Sequence, residues 1–367
     1  LASSAASDVY KRQVPVYVNP GVNKELGIPL GMTVEDVEKA ILENPDAKAV
    51  FVNNPTYYGV CSDIKKIADL AHAHGMYLLA DEAHGTHFYF GDNMPLAGMK
   101  AGADFAAVSM HKSGGSLTQS SFLLTADTVN EGYVRQIINL MQTTSGSYLL
   151  MSSLDISRRN LALHGREIFA KVQSYAQYMR DEINEIGGYY AFSKELCDGG
   201  AFYDFDVTKL SIHTRDIGLA GIEVYDILRD RYGIQIEFGD IGNILAYVSI
   251  GDRELYLDRL IGALNDIKRI YSKDKTGMLD HEYINPIVKL SPQDAFYGNK
   301  KSVPIEQSSG KISGEFVMCY PPGIPILAPG EQITDEILAY IKYAGDKGCF
   351  LTGTQDLEIK NIMILDE

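Results

Sequence analysis

Short, continuously apolar runs recur through the first third of the chain, and amphipathic segments separate them. Such runs are typical of strands that are buried on both faces, whereas apolar residues that recur every three to four positions are typical of helices. Continuous apolar strands in alternation with helices predict an α/β fold with a mostly parallel sheet. The predicted strands are residues 47–52, 76–80, 105–109 and 121–125.

Two amphipathic segments between these runs carry signals for helix ends. Thr33 and Asp36 have the spacing of a capping box, which predicts a helix that continues to about Glu43. In the second segment we expect Ser62 to cap the helix and Gly75 to end it, because glycine is favoured directly after a helix.

The pattern changes beyond residue 147. A long helical pattern is followed by shorter strands and helices, which predict a smaller α/β domain, and proline and glycine become frequent from about residue 276. We expect a large domain over 14–165, a small domain over 166–275 and a C-terminal α+β domain over 276–367. The predicted helices are 148–186, 220–231, 253–270 and 334–347, and the predicted small-domain strands are 201–206, 234–237 and 243–249.

Polar side chains follow three of the predicted strands, at the point where each strand ends. The carboxyl ends of parallel strands meet at one edge of a sheet, where folds of this kind bind ligands. Each residue alone also has a structural explanation, as a turn former, a core histidine or a surface charge. Their convergence predicts a site that contains Asn54, Asp81, His84, Ser109, His111 and Lys112.

The composition of the chain disfavours several classes of binding partner. The 367 residues include 33 Lys and Arg against 48 Asp and Glu, and the net charge of −15 disfavours nucleic acid and anionic membranes. No apolar run reaches the roughly 18 residues of a membrane-spanning helix. The four cysteines form no closely spaced pair, which disfavours zinc sites and disulfides and favours a reducing, cytoplasmic location.

Among the polar residues of the predicted site, Lys112 has the most specific chemistry. A lysine attacks a carbonyl only when burial or nearby charge leaves its amine unprotonated, and it then forms an imine. If the carbonyl compound is pyridoxal phosphate, an acid such as Asp81 keeps the pyridine nitrogen protonated. Hydroxyl, imidazole and backbone N–H groups would hold the ring hydroxyl and the phosphate. The residue types of the group fit this cofactor.

Four segments together resemble the bacterial ornithine/lysine/arginine decarboxylases, which are fold-type-I pyridoxal phosphate enzymes of the aspartate aminotransferase superfamily. The resemblance covers nearly everything from residue 14 onwards, and the most similar type is the shorter decarboxylase of many Gram-positive bacteria. The segments are NNPTYYG (53–59), LLADEAHGTH (78–87), DFAAVSMHKSGGSLTQSSFLL (104–124) and YPPGIPILAPGE (320–331).

The resemblance implies a role for each residue near the cofactor ring. Lys112 would carry the cofactor as an imine, and Asp81 would pair with the pyridinium nitrogen. Ala83 would pack against the ring, and His84 would lie near the ring hydroxyl. Asn54 matches the asparagine of the superfamily's NPT motif by position.

Further implied contacts lie away from the ring. Ser109 and His111 would bind the phosphate. Glu315 is a candidate for the cationic end of the substrate, or is a surface residue beside a strand. The loop TTSGSY (143–148) resembles a TTSPSY segment that would reach the neighbouring subunit's site, and Gly146 in place of proline should loosen it. A shared site implies a homodimer or a higher homo-oligomer.

The implied reaction is decarboxylation of arginine, lysine or ornithine to a polyamine-type amine. The ring would delocalise the carbanion left by carbon dioxide, and Lys112 or His84 would return a proton to Cα. Two other functions remain open. One is an aminotransferase or aldolase on the same fold, and the other is a non-catalytic module for assembly or regulation.

The N-terminal residues stand apart from this pattern. Residues 3–13, SSAASDVYKRQ, resemble the translation of a sequencing adapter, so that native sequence is expected from about Val14. The family's phosphate-binding loop and the residue that stacks on the ring are not visible in residues 14–50. We therefore expect a fragment with an incomplete large domain, half of a cofactor site, and weak or no binding of pyridoxal phosphate.

Overall fold

The computed structural model describes residues 15–274, 284, 286–320 and 324–366. The adapter-like residues 1–13 lie outside this part of the chain, as do Pro321, Pro322 and Gly323 of the segment 320–331. The helices of the described residues are α1 (Val34–Glu43), α2 (Ile64–Ala73), α3 (Gly98–Ala101), α4 (Met110–Ser113), α5 (Glu131–Met141), α6 (Tyr148–Ile186), α7 (Gly221–Tyr232), α8 (Glu254–Tyr271), α9 (Pro292–Tyr297) and α10 (Asp335–Asp346).

The strands of the described residues form six sheets, of which two have four strands. In chain order they are β1 (Val22–Asn23), β2 (Ile28–Pro29), β3 (Ala49–Asn53), β4 (Val60–Cys61), β5 (Tyr77–Asp81), β6 (Phe105–Val108), β7 (Phe122–Thr125), β8 (Tyr190–Ala191), β9 (Asp204–Phe205), β10 (Lys209–His213), β11 (Phe238–Gly239), β12 (Asn243–Tyr247), β13 (Lys300–Pro304), β14 (Val317–Tyr320), β15 (Ile324–Leu327), β16 (Phe350–Thr352) and β17 (Asn361–Leu365).

The first four-stranded sheet has the order β3-β5-β6-β7. Its strands β3, β5 and β6 run parallel and β7 is antiparallel to β6, so the mostly parallel sheet predicted from the sequence has one reversed edge strand. Buried residues of α1 and α2, such as Val37 and Ile67, share one apolar core with the sheet. Asp81 pairs with Asn53 on one side and Ala107 on the other, which places three strand ends side by side.

One of the two predicted helix starts is confirmed and the other is wrong by one residue. Thr33 caps α1, because its Oγ1 accepts a hydrogen bond from the backbone N–H of Asp36 over 3.1 Å. The side chain that caps α2 is that of Asp63 and not that of Ser62. The hydroxyl of Ser62 instead accepts from the backbone N–H of Met32 over 3.0 Å, a contact between distant parts of the chain.

The second four-stranded sheet, of order β11-β12-β10-β8, is antiparallel throughout. The sequence pattern misses β10, one of the two inner strands, in which polar and apolar residues alternate although all five are buried. Leu210 and Ile212 enter the core formed with α6, α7 and α8. The expected strand 201–206 is reduced to β9, which pairs with β4. The expected strand 234–237 is wrong, because the strand β11 begins only after it, at Phe238.

The C-terminal region combines two small antiparallel sheets, β13-β17 and β15-β14-β16, with α10. Val317, Ile337 and Ile362 are among the buried residues of its core. The expected boundary at residue 165 falls inside α6, which is continuous over Tyr148–Ile186. The division into three domains stays a prediction.

Candidate active site

Lys112 lies in a short helix that begins directly after a parallel strand. The strand β6 is followed at once by α4, in which the backbone N–H of Lys112 donates to the carbonyl oxygen of Ser109 over 3.1 Å. Nζ of Lys112 lies 3.2 Å from Nε2 of His84, which follows β5. Lys112 is exposed at the surface, but desolvation of the covered part of its side chain lowers its pKa, while the carboxylates of Asp81 and Glu237 oppose this shift. The structure thus brings two of the predicted residues into contact.

The other ring nitrogen of His84 faces Lys209, a residue that sequence reasoning missed. Nδ1 of His84 lies 2.9 Å from Nζ of Lys209, whose side chain is fully buried. Burial lowers the pKa of Lys209 to about 7. Burial, with the cations of Lys209 and Lys112, also lowers the pKa of His84 well below its usual value, so its ring is neutral at pH 7. A lysine inside a buried strand is the one sequence signal for this contact.

Asp81 and Asn54 lie next to each other at the ends of β5 and β3. Oδ1 of Asp81 accepts from the backbone N–H of Ala83 over 3.0 Å, and its carbonyl oxygen accepts from the backbone N–H of Asn54 over 2.9 Å. The side-chain oxygen of the buried Asn54 accepts from the backbone N–H of Ser62. Among the described residues its Nδ2 has no hydrogen-bond partner. An unsatisfied buried donor costs about 1–3 kcal/mol, so this amide is available to a ligand acceptor.

The predicted phosphate ligands are Ser109, which directly precedes α4, and His111, which lies in α4. Nδ1 of His111 lies 2.9 Å from the carbonyl oxygen of Ser120 and donates to it. A neutral ring then has no hydrogen on Nε2, so His111 can donate to a phosphate only when it is protonated. The side chain of Ser109 is not used to cap α4.

Tyr57 and Glu237 complete the group, and neither was expected from the sequence. The ring centroid of Tyr57 lies 4.3 Å from that of His84, and its hydroxyl donates to Oε1 of Glu237 over 2.6 Å. The ring of Tyr247 lies 3.9 Å from Nζ of Lys209. Because Glu237 is exposed, the group presents a carboxylate to solvent near its lysines.

Glu315 makes its hydrogen bonds within the C-terminal region. It is 7% exposed, and its two carboxylate oxygens accept from the backbone N–H groups of Gln355 over 2.8 Å and Met363 over 2.7 Å. These bonds join three segments of that region, and a contact with substrate stays a prediction. The loop 143–148, including Gly146, is exposed.

Comparison with known sequences identifies the family. The family described as Orn/Lys/Arg decarboxylase matches with its major domain over residues 5–255 and with its C-terminal domain over residues 276–352. Proteins named arginine decarboxylase from Bacillus subtilis and Halalkalibacterium halodurans are each 42% identical to this chain. Each alignment covers 98% of this chain and 74% of the relative.

Solved structures show the same fold. The superposition on the constitutive lysine decarboxylase of Escherichia coli covers all of this chain and 66% of the length of that enzyme, with a TM-score of 0.79 and 19% sequence identity. The superposition on lysine decarboxylase A from Pseudomonas aeruginosa covers all of this chain and 65% of the length of that protein, with a TM-score of 0.78 and 18% sequence identity. This chain therefore spans just under two thirds of the length of these two proteins.

More distant matches include aminotransferases. Alanine–glyoxylate aminotransferase from Nostoc matches 64% of this chain and 65% of its own, with a TM-score of 0.52 and 16% identity. In the part of the chain that the structure describes, no helix combines the length and hydrophobicity needed to cross a membrane. The chain belongs to the Orn/Lys/Arg decarboxylase family and has the α/β fold of the fold-type-I pyridoxal phosphate enzymes.

Proposed function

We propose that this protein decarboxylates a basic amino acid with pyridoxal phosphate, and that the amino acid is arginine. The observation that carries the proposal is the position of Lys112 and Asp81 at the ends of neighbouring parallel strands, with His84 in contact with the lysine. Relatives at 42% identity that are named arginine decarboxylase favour arginine over lysine and ornithine.

The residues at the strand ends fit pyridoxal phosphate. The cofactor needs an amine for its aldehyde, an acid for its ring nitrogen and a donor for its ring hydroxyl. The chain supplies an amine whose pKa burial lowers, a carboxylate at a strand end and a buried amide donor without a protein acceptor among the described residues. The proposed ligands are Lys112 for the aldehyde carbon, Asp81 for the ring nitrogen, Asn54 or His84 for the hydroxyl, Ala83 for the ring, and Ser109 and protonated His111 for the phosphate.

The residues of the site would hold the cofactor and move protons during the reaction. When bound, pyridoxal phosphate supplies the electron sink that permits loss of carbon dioxide. The carboxylate of Asp81 keeps the proton on the ring nitrogen. Nζ of Lys112 or Nε2 of His84 returns a proton to the substrate Cα after carbon dioxide has left.

Glu237 is our candidate for the cationic end of the substrate, because it is exposed and its carboxylate is fixed by the hydroxyl of Tyr57. A fixed carboxylate favours a guanidinium or ammonium group. The net charge of −15 adds attraction for a cationic amino acid at long range.

The proposal is tested in two steps on the purified chain. First, pyridoxal phosphate is added at concentrations that saturate even a weak site, the adduct is reduced with borohydride, and peptide mass spectrometry locates it. We expect modification of Lys112, absent from Lys112→Ala and retained in the exposed control Lys65→Ala. No adduct on Lys112 would overturn the proposal.

Second, carbon dioxide release is measured from carboxyl-labelled arginine, lysine and ornithine. We expect the highest rate with arginine, and a decrease of at least about 100-fold in Asp81→Asn. The circular dichroism of this variant should be unchanged, because an amide oxygen still accepts from the backbone N–H of Ala83. A keto acid in place of carbon dioxide would identify an aminotransferase instead.

A further inference from the structure

Two lysines contact the two ring nitrogens of one buried histidine. Nε2 of His84 lies 3.2 Å from Nζ of Lys112, and Nδ1 lies 2.9 Å from Nζ of Lys209. A neutral imidazole has one N–H and one bare nitrogen, whereas an ammonium can only donate. Both hydrogen bonds can therefore form together only when one of the two lysines is a neutral amine.

We propose that Lys209 is a positioning residue that exchanges a proton with Lys112 through His84, and so decides whether Lys112 is a nucleophilic amine. A proton leaves Nζ of Lys112 for Nε2 of His84, and the hydrogen on Nδ1 of His84 moves to Nζ of Lys209. Lys112 ends as an amine, Lys209 as an ammonium, and the imidazole as the other neutral tautomer. The inference rests on the proposed function, because a lysine that attacks a carbonyl must first lose this proton.

The surroundings of Lys209 permit both of its protonation states. Burial lowers the pKa of Lys209 to about 7, the carboxylates of Asp206 and Glu237 oppose this shift, and the cation of Lys112 adds to it. The ring of Tyr247, 3.9 Å from Nζ, further stabilises the ammonium. A donor and acceptor with a pKa near neutrality passes a proton in either direction at little cost.

His84 is held in the state that this transfer needs. The side chain is buried, and the ring of Tyr57 lies against it. Burial lowers the pKa of His84, and the neighbouring charges of Lys209, Lys112, His87 and His111 lower it further. Because the imidazole ring stays neutral, it releases a proton from one ring nitrogen when it gains a proton at the other.

The experiment measures capture of Lys112 by pyridoxal phosphate and borohydride as a function of pH, in wild type, Lys209→Met and Lys209→Arg. Methionine cannot accept a proton, so Lys112 must lose its proton to water. We expect the midpoint of capture to move to higher pH by about one unit or more. Arginine stays protonated and donates to Nδ1 of His84, which leaves the hydrogen on Nε2. That arrangement favours the amine of Lys112, and we expect its midpoint to move to lower pH.

A merely structural role of Lys209 predicts less captured protein but the same midpoint in all three chains, and that result would overturn the proposal. The exposed control Lys65→Met should keep the wild-type midpoint. Circular dichroism and thermal unfolding show whether each variant is folded. Absence of capture on wild-type Lys112 at any pH counts against the proposed function rather than against the relay.

A second measurement is made on the wild-type protein, and a substitution serves only to assign its signals. Nitrogen NMR of wild-type protein labelled at histidine reports which ring nitrogen of His84 carries the hydrogen, and His84→Asn assigns the signals. We expect a neutral ring that exchanges between its two tautomers across neutral pH. One fixed tautomer over this range would exclude the exchange of a proton between Lys112 and Lys209.

Discussion

Nε2 of His87 donates a hydrogen bond to Oδ2 of Asp206 over 2.8 Å, and neither side chain is more than 1% exposed. Burial disfavours the carboxylate of Asp206, but His87, Lys209 and Thr208 together outweigh burial and lower its pKa. The bond joins the segment that carries His84 to the segment that leads into β10 and Lys209. This buried pair therefore links the two segments that position His84 and Lys209.

We expect Asp206→Ala to lower the free energy of unfolding by about 3–5 kcal/mol, because it leaves a buried imidazole without its charged partner. Since the folded state lowers the pKa of Asp206, its stabilisation is present above the usual aspartate pKa and is lost as the pH falls through the lowered value. Denaturant unfolding at neutral and acid pH measures both effects. The control Asp204→Ala removes a partly exposed ion pair with Lys194 and should cost at most about 1 kcal/mol. Equal losses would contradict this account.

Glu82, next to Asp81, is a fully buried acid. Its carboxylate accepts hydrogen bonds from the backbone N–H of Gly98 over 2.7 Å and from the hydroxyl of Tyr89. Burial raises its pKa from 4.5 to about 7, although both hydrogen bonds oppose this shift. The folded state thus binds this proton more tightly than the unfolded state. The contribution of Glu82 to the free energy of unfolding should therefore fall as the pH rises from about 4.5 to about 7. Above that range this contribution should be constant.

Glu82→Gln should remove this dependence on pH, which changes the free energy of unfolding by about 3 kcal/mol over the whole range. The measurement is the free energy of unfolding in denaturant at several pH values between the two pKa values. Glu35→Gln, at an exposed position in the first turn of α1, is the control and should keep the wild-type slope. If Glu82→Gln keeps it as well, the carboxylate is ionised in the folded protein throughout.

Gly221 begins α7 where the backbone of a neighbouring strand approaches closely. An added Cβ would lie 1.9 Å from the carbonyl oxygen of Asn243 and 2.8 Å from that of Asp240. We expect Gly221→Ala to lower the thermal unfolding temperature strongly, with a loss of about 3 kcal/mol or more. Gly262, in the exposed middle of α8, has no atom within 4 Å of an added Cβ. Gly262→Ala should raise stability by about 0.5–1 kcal/mol, and a similar loss in both variants would refute the explanation.

An exposed apolar surface extends over α5 and the start of α6. No residue of α5 is buried, and Leu140, Tyr148 and Leu149 are 80%, 83% and 70% exposed. If this surface is the contact with a second copy of the chain, the double substitution of Leu140→Glu and Leu149→Glu should reduce the molar mass measured by sedimentation equilibrium. The control Leu357→Glu changes a leucine that is 78% exposed in the C-terminal region and should leave it unchanged. A wild-type chain that stays monomeric would exclude the expected homo-oligomer.

The parallel strands could be predicted from the sequence because each is a continuous apolar run, and Thr33 marked the start of α1 through a contact three residues away. The second sheet was harder to predict. Its inner strand β10 alternates polar and apolar residues, which is typical of a half-exposed strand, yet all five residues are buried. The polar face is buried because Lys209 contacts His84 and Ser211 donates to the carbonyl oxygen of Tyr58.

Local patterns in the chain were enough to place Asp81, His84 and Lys112 at the ends of parallel strands, because hydrophobic period and strand order act over short stretches of sequence. The family was indicated separately, by the resemblance of four short segments. These local patterns could not show that Lys209 reaches His84 from 125 residues away, or that Glu237 accepts a hydrogen bond from Tyr57, whose ring lies against His84. Those contacts depend on how the antiparallel sheet packs beside the parallel one. The protonation of a buried lysine depends on the charges and rings that this packing brings around it, and no short stretch of sequence contains them.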